Sequence, residues 1–190
     1  MIIIAFKGLI GSGKSTATEY VLNNYDAITY NCDKAVKKLY HENEIVIDKV
    51  NKEILNESND YIDIKDLKEI VLNDNNKLEK LEYIVYPYLT RDIKELILQE
   101  AKYLVLDCQQ IDKIYNDVDY FIQIDTHKES ILSRVKTRDD RSFEETTKII
   151  NIQENLIIDN NKFTLSNNGT KEKLYNQIDQ LLRMIDEDHR

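Results

Sequence analysis

The stretch "GLIGSGKST", residues 8–16, follows directly on the apolar run "MIIIAFK" and constrains the fold more than anything else in the chain. The protein has only four glycines, and three of them, Gly8, Gly11 and Gly13, fall in this one loop. With glycine otherwise so far below its usual share of about 7%, the clustering points to backbone shapes or a close approach that a Cβ would forbid. The spacing Gly8-(four residues)-Gly13-Lys14-Ser15 fits the phosphate-binding pattern G-x-x-x-x-G-K-S/T. In that pattern the loop from Gly8 through Leu9, Ile10, Gly11, Ser12 and Gly13 to Thr16 cradles phosphate oxygens with its backbone N–H groups. Lys14 reaches the β/γ-phosphates, and the Ser15 hydroxyl ligates Mg²⁺. The flanks agree: "IIIAF" reads as a buried strand. "KSTATEYVLNNY" reads as a helix with Ala17, Val21 and Leu22 along one face, its N-terminus adding partial positive charge beneath the phosphates. The chain is expected to bind a nucleoside triphosphate.

At 190 residues the chain suits one domain, with room for a small inserted subdomain. A net charge of −9 argues against a protein whose main partner is a nucleic-acid backbone. Two cysteines, Cys32 and Cys108, make neither a disulfide framework nor a zinc site; they are expected as packing residues in a reducing cytosol. No apolar stretch approaches the ~20 residues that span a bilayer, and the start lacks the basic region of a signal peptide. The expectation is a cytoplasmic protein with no membrane partner.

Strand-like and helix-like segments alternate along the chain. After the first strand and helix, "DAITYN" is a short strand ending at Asn31-Cys32-Asp33. "DKAVKKLYHE" and "NEIVIDKVNKEILNE" show helical spacing, with Val46, Val50 and Ile54 recurring at four. "DIKDLKEIVLND" follows with Asp63 as its N-cap. The longest helical tract runs from about Asn76 to Lys102, and Pro87, the only proline, should kink or split it. "YLVLD" and "DYFIQID" are strands, "HKESILSRVKTR" a helix, and "SFEETTKIINIQENL" opens on a capping box from Ser142 to Glu145. "KFTLSNNG" is a last strand and turn before a closing amphipathic helix. Such alternation predicts an α/β fold, a parallel sheet with helices on both faces.

Phosphate loops serve GTPases, motor-type or chaperone ATPases and small-molecule kinases. A GTPase needs an Asp-x-x-Gly switch, but the only glycine outside the loop is Gly169, with Ser166 three before it. An ATPase usually carries an acidic pair after an apolar strand; here Asp107 is followed by Cys108. The kinase reading has positive support. Arg134 and Arg138 lie four apart on one helix and share a face, and Arg141 follows. A mobile lid carrying such cations stabilises transferring phosphoryl charge. The alternative is that these arginines only solvate a helix of an acidic protein.

Along nearly its full length the chain resembles the dephospho-coenzyme A kinase family, phosphate-loop kinases that act on a ribose 3′-hydroxyl. "IIAFKGLIGSGKST" resembles the family's start, and "DLKEIVLNDNNKLEKLEYIVYPYL" its middle stretch. "ILSRVKTRDDRSFEETTKIINIQ" is similar to its lid helix, arginines and following glutamine. "LSNNGTKEKLYNQI" is similar to the turn and closing helix near the adenine pocket. The lid together with "NNG" points to this family within the wider phosphate-loop class. The resemblance implies one P-loop kinase domain over 1–190, with a helical acceptor-side region near 34–102 and a lid near 134–153. It implies ATP and Mg²⁺, with Gly8, Gly11, Gly13, Lys14, Ser15, Arg134, Arg138, Asn168 and Gly169 on the nucleotide side. Lys14, Arg138 and Asp33 would carry the chemistry, Asp33 as general base toward the acceptor hydroxyl. The plain alternatives are Asp33 as N-cap of the following helix and Asp107 as a strand-end residue ordering its loop.

The departures fall largely on the acceptor side. The family's Asp-Ala-Asp is Asn31-Cys32-Asp33, its His-Pro is Tyr86-Pro87, and the glutamine before its lid arginines is Ile131. Its Pro-Leu-Leu-x-Glu is Gln109-Gln110-Ile111-Asp112-Lys113. Two further readings therefore stand beside the first: a kinase of the same fold acting on another nucleoside or nucleotide, and a nucleotide-binding interaction protein without catalysis.

Overall fold

The first strand, β1 (Ile2–Lys7), is buried at all six positions, which marks a strand covered on both faces rather than one alternating between core and water. The computed structural model describes residues 1–139, 141–156 and 163–189; Asp140, inside the expected lid, and Lys162, at the start of the expected last strand, lie outside them. Four further strands complete one sheet: β2 (Ala27–Asn31), β3 (Tyr103–Asp107), β4 (Tyr120–Asp125) and β5 (Phe163–Ser166), in the order β2-β3-β1-β4-β5. Pairing is parallel, with Ile4 opposite Val105 and Phe6 opposite Ile122. The expected α/β architecture is present. A parallel sheet directs every strand's carboxyl end to one edge, so Lys7, Asp107 and Asp125 finish on the same side, where ligands of open α/β sheets bind.

The chain forms two compact units, Met1–Tyr30 with Glu100–Arg190 and the segment Asn31–Gln99. In the first, α1 (Lys14–Asn24) and α9 (Lys171–Asp188) pack against one sheet face. Ile4, Phe6, Val105 and Ile122 meet Ala17 and Val21 of α1 and Leu174, Ile178 and Leu182 of α9 there. Leu22, expected on the same face as Ala17 and Val21, is exposed. At about 100° per residue it lies well round the helix from Ala17, and Thr18 takes the buried place. Tyr20 and Tyr25 both donate to Asp179 Oδ1, at 2.8 and 2.6 Å, so α9 is held to α1 by polar ties as well as by packing. The helices α6 (Ile111–Ile114), α7 (Lys128–Asp139) and α8 (Phe143–Leu156) complete this unit, with Ile131, Val135 and Ile150 buried together between the last two.

The capping box at the start of α8 is formed as the sequence predicts. Glu145 N–H donates to Ser142 Oγ at 3.1 Å, and Ser142 N–H returns a bond to Glu145 Oε2 at 3.0 Å. These bonds hold the Glu145 carboxyl below the usual carboxylate range. Ser142→Ala is expected to lower the thermal midpoint by about 2–4 °C. A depressed folded-state value means that the Glu145 part of this contribution is present above the ordinary carboxylate range. It fades as pH falls through the depressed value. Melting curves of both proteins at neutral and acid pH check the size and the sign.

The second unit is helical: α2 (Cys32–Glu42), α3 (Glu44–Val50), α4 (Ile64–Asn73) and α5 (Asn75–Ile97). A π-helical turn, Asn51–Leu55, extends α3 and ends at Asn56 in the left-handed region. Val46, Val50 and Ile54 are fully buried, as their spacing requires. Asp63 caps α4 by accepting from Lys65 N and Asp66 N. The long tract is not split at Pro87; α5 runs through it as one helix. Leu81, Ile84, Val85, Leu89 and Ile93 are buried on both sides of the proline. Burial worth about 1.5–3 kcal/mol per such side chain outweighs an interior proline's cost of about 3 kcal/mol. Cys32 and Cys108, expected as packing residues, are both buried, but neither carries a free thiol.

Candidate active site

The loop between β1 and α1 is shaped by backbone that side chains rarely adopt. Gly8 has φ +145° and Gly13 φ +108°. A Cβ at Gly8 would lie 2.7 Å from the carbonyl oxygen of Ile124, and one at Gly13 only 2.2 Å from Asn167 Nδ2. The glycines are thus demanded by the end of β4 and by the turn after β5, which press against the loop.

Four elements outside the loop hold it. Ser12 O accepts from Thr126 Oγ1 at 2.9 Å and from Asn167 Nδ2 at 2.7 Å. Arg134 on α7 spans two pieces, its Nη2 donating to Asn167 O at 2.8 Å and its Nη1 to Gly11 O at 3.4 Å. Ile10 N–H donates to Gln153 Oε1 on α8 at 2.7 Å. Within the loop, Lys14 Nζ donates to Gly8 O at 2.7 Å and Leu9 O at 3.1 Å, holding its ammonium at the loop's mouth. Ser12 Oγ is buried without a hydrogen-bond partner among the described residues, a polar atom that a phosphate oxygen can satisfy.

Just past the loop, Ser15 Oγ donates to Asp107 Oδ2 at 3.3 Å. A hydroxyl and a carboxylate side by side at a phosphate loop are the hard oxygen donors that Mg²⁺ takes, together with phosphate oxygens and water. At the loop's other flank, Lys7 Nζ pairs with Asp112 Oδ2 at 2.7 Å; the two side chains are 5% and 14% exposed. The ammonium also lies 4.7 Å from the Phe121 ring centroid.

The remaining predicted residues divide between the units. Asn168 Oδ1 accepts from His127 N at 2.7 Å, and Gly169 follows it in the turn to α9, so Asn167 rather than Asn168 is the one that grips the loop. Arg138 forms a bidentate pair with Asp139, Nε and Nη2 each donating at 2.7 Å, on a side chain 60% exposed. That pair holds the guanidinium protonated and the Asp139 carboxyl below its usual range. Gln109 and Gln110 form the turn before α6 and Lys113 lies within it, in the same unit as the loop.

In the helical unit, the N-cap of α2 is Asn31, whose Oδ1 accepts from Lys34 N at 2.9 Å. This corrects the alternative that Asp33 caps the helix: Asp33 sits in the first turn, exposed, its carboxylate free of hydrogen bonds and ion pairs among the described residues. Tyr86 donates its hydroxyl to Glu82, and burial with that carboxylate pushes the phenol well above its ordinary range. It is a fixed neutral donor where the family's histidine would titrate.

Sequence reasoning did not place Asn167 or Thr126 at this site, and it weighed Asp107 only as a strand-end residue and Gln153 only within the lid resemblance. The doubled asparagine at 167–168 and the glutamine closing the lid stretch were visible signals; Thr126, one position past a strand end, carried none.

Comparison with known proteins shows the family. The family described as dephospho-CoA kinase matches residues 2–172. The dephospho-CoA kinase of Fusobacterium nucleatum is 30% identical, over 97% of this chain and 99% of its own. That of Borreliella burgdorferi is 27% identical over 97% and 94%. Among solved structures, TT1252 from Thermus thermophilus superposes with a TM-score of 0.79 at 23% identity, over 96% of this chain and 97% of its own. Dephospho-CoA kinase from Campylobacter jejuni gives 0.63 at 23% identity, over 99% and 98%. The chain belongs to the dephospho-CoA kinase family.

Proposed function

We propose that the protein transfers the γ-phosphoryl group of ATP to the ribose 3′-hydroxyl of dephospho-CoA, giving CoA and ADP. The observation that supports the donor half is the phosphate cradle, built on glycine, gripped from the end of β4, α7, α8 and the turn after β5, and holding a buried Ser12 hydroxyl unsatisfied among the described residues. Family membership carries the acceptor.

Phosphoryl transfer asks the protein for position and charge more than for covalent chemistry. The loop amides fix the β- and γ-phosphates, and Lys14 exchanges its carbonyl partners for their oxygens. Ser15 and Asp107 would hold Mg²⁺, which neutralises phosphate charge when bound. Asp33 takes the proton of the attacking 3′-hydroxyl. Arg138 meets the charge that develops on the transferring group, leaving Asp139 to do so. An exposed ion pair is worth little, so that exchange is cheap. With ATP as donor, the same reading places the protein in the cytoplasm; no helix among the described residues is long and apolar enough to cross a membrane.

Arg138→Ala is expected to lower kcat by about 10²–10³ while leaving KM for ATP nearly unchanged, the mark of a contact made in the transition state. Steady-state kinetics separate the two constants, and a change confined to KM would remove this role from Arg138. The reaction itself is tested with Mg²⁺-ATP and dephospho-CoA beside deoxynucleosides and nucleoside monophosphates, with mass spectrometry of the products. Formation of CoA supports the assignment. Conversion of another acceptor without CoA makes the protein a kinase of different specificity, and conversion of none makes it a binding protein.

A further inference from the structure

The phosphate loop is bracketed by Lys7, directly before Gly8, and Ser15, directly after Lys14. Both flanks are tied to one short stretch of chain. Ser15 holds Asp107, at the end of β3, and Lys7 holds Asp112, in the first turn of α6. Between these two anchors lie Cys108, Gln109, Gln110 and Ile111, and Lys113 follows immediately. The two ties differ in kind. Ser15 to Asp107 is a long neutral-donor bond at 3.3 Å between groups that also suit a metal. Lys7 to Asp112 is a short, desolvated ion pair at 2.7 Å, its ammonium backed by the Phe121 ring.

Burying a lysine and an aspartate seldom adds net stability, because desolvation offsets most of the attraction. What such a pair supplies is a fixed geometry, since either charge left alone in the interior is strongly disfavoured. Here it fixes α6 against the strand that launches the phosphate loop. We infer that the Lys7–Asp112 pair is a positioning device that sets the Gln109–Lys113 segment for the acceptor. This rests on the reading that the segment serves dephospho-CoA. Neither residue touches reacting atoms in this account; they act through Gln109, Gln110 and Lys113, three of the positions at which the chain departs from its family.

The test compares wild type, Asp112→Asn and the double variant Lys7→Met/Asp112→Leu in the full-length protein. Three quantities are measured: KM for dephospho-CoA, ATP affinity by calorimetry, and amide hydrogen exchange across residues 107–113. In Asp112→Asn, KM for dephospho-CoA is expected to rise by roughly 10- to 100-fold, the scale of a small misplacement of a bound group. ATP affinity should be unchanged, and exchange across 109–113 faster. The double variant removes both charges of the pair, so it should regain the thermal midpoint yet keep the raised KM and the fast exchange. If it instead returns to wild-type KM and exchange, the pair is only structural and the inference fails. It also fails if ATP affinity falls in step with the acceptor constant, because the pair then serves the phosphate loop. Should Asp112→Asn not fold, the double variant alone decides by the same two readouts. Should wild type make no CoA, the functional reading falls, while unaltered exchange at 109–113 in the variants overturns this inference separately.

Discussion

Asp33→Asn is expected to lower kcat with dephospho-CoA by about 10²–10⁴ while ATP binding is retained. The substitution is nearly isosteric, but an amide has no lone pair basic enough to take the hydroxyl proton. The surroundings make the result interpretable. Asp33 is exposed and unpaired among the described residues, and the cap of α2 is supplied by Asn31. An exposed carboxylate in a helix's first turn is worth about 0.3–1 kcal/mol, so a large loss of rate cannot be a folding defect. Thermal melting, ATP calorimetry and initial rates on one preparation settle the matter; an unchanged kcat would give the general-base role to another group or to none.

Gly13→Val is expected to abolish measurable ATP binding. The backbone there has φ +108°, which a β-branched residue does not tolerate. The first side-chain carbon would fall 2.2 Å from Asn167 Nδ2, the group that donates to Ser12 O. Relief requires the Asn167 side chain to swing off Ser12 O or the loop itself to move, and either change loosens the cradle. Strain of this kind costs on the order of 1–3 kcal/mol, so the thermal midpoint should fall along with the affinity. Calorimetry with Mg²⁺-ATP reads the outcome, and undiminished binding would remove this loop from the nucleotide site.

These two residues show where the sequence was legible. Gly13 stood out because glycine is so scarce elsewhere that its presence in the loop could only be local demand. The capping box at Ser142 and Glu145 and the cap at Asp63 were legible because cause and effect lie two or three residues apart. Asn31 displaced Asp33 as the cap of α2 because its extended backbone, φ −108° and ψ 110°, is the one that lets a side chain reach back to the helix. What sequence could not show is contact across long separations. Gln153 reaches Ile10, Asn167 reaches Ser12, and Asp112 meets Lys7 only because parallel strands bring distant segments to one edge. Of the kink or split expected at Pro87, the split does not occur, because the local rule was weighed without the burial on either side of it.

The sheet order carries a consequence for synthesis. β1 leaves the ribosome first, yet its neighbours are β3 and β4, with Ile2 opposite Tyr103 and Ile4 opposite Tyr120. At roughly 5–20 residues per second, about 5–20 s pass before the first of these partners has been made. Through that interval the most apolar strand of the protein has no sheet to join, while the helices of 31–99 contact mainly their own sequence neighbours. Those helices can collapse as they emerge, whereas the strand that launches the nucleotide loop must wait. The nascent chain is therefore most exposed to aggregation between completion of its helical segment and emergence of Asp107.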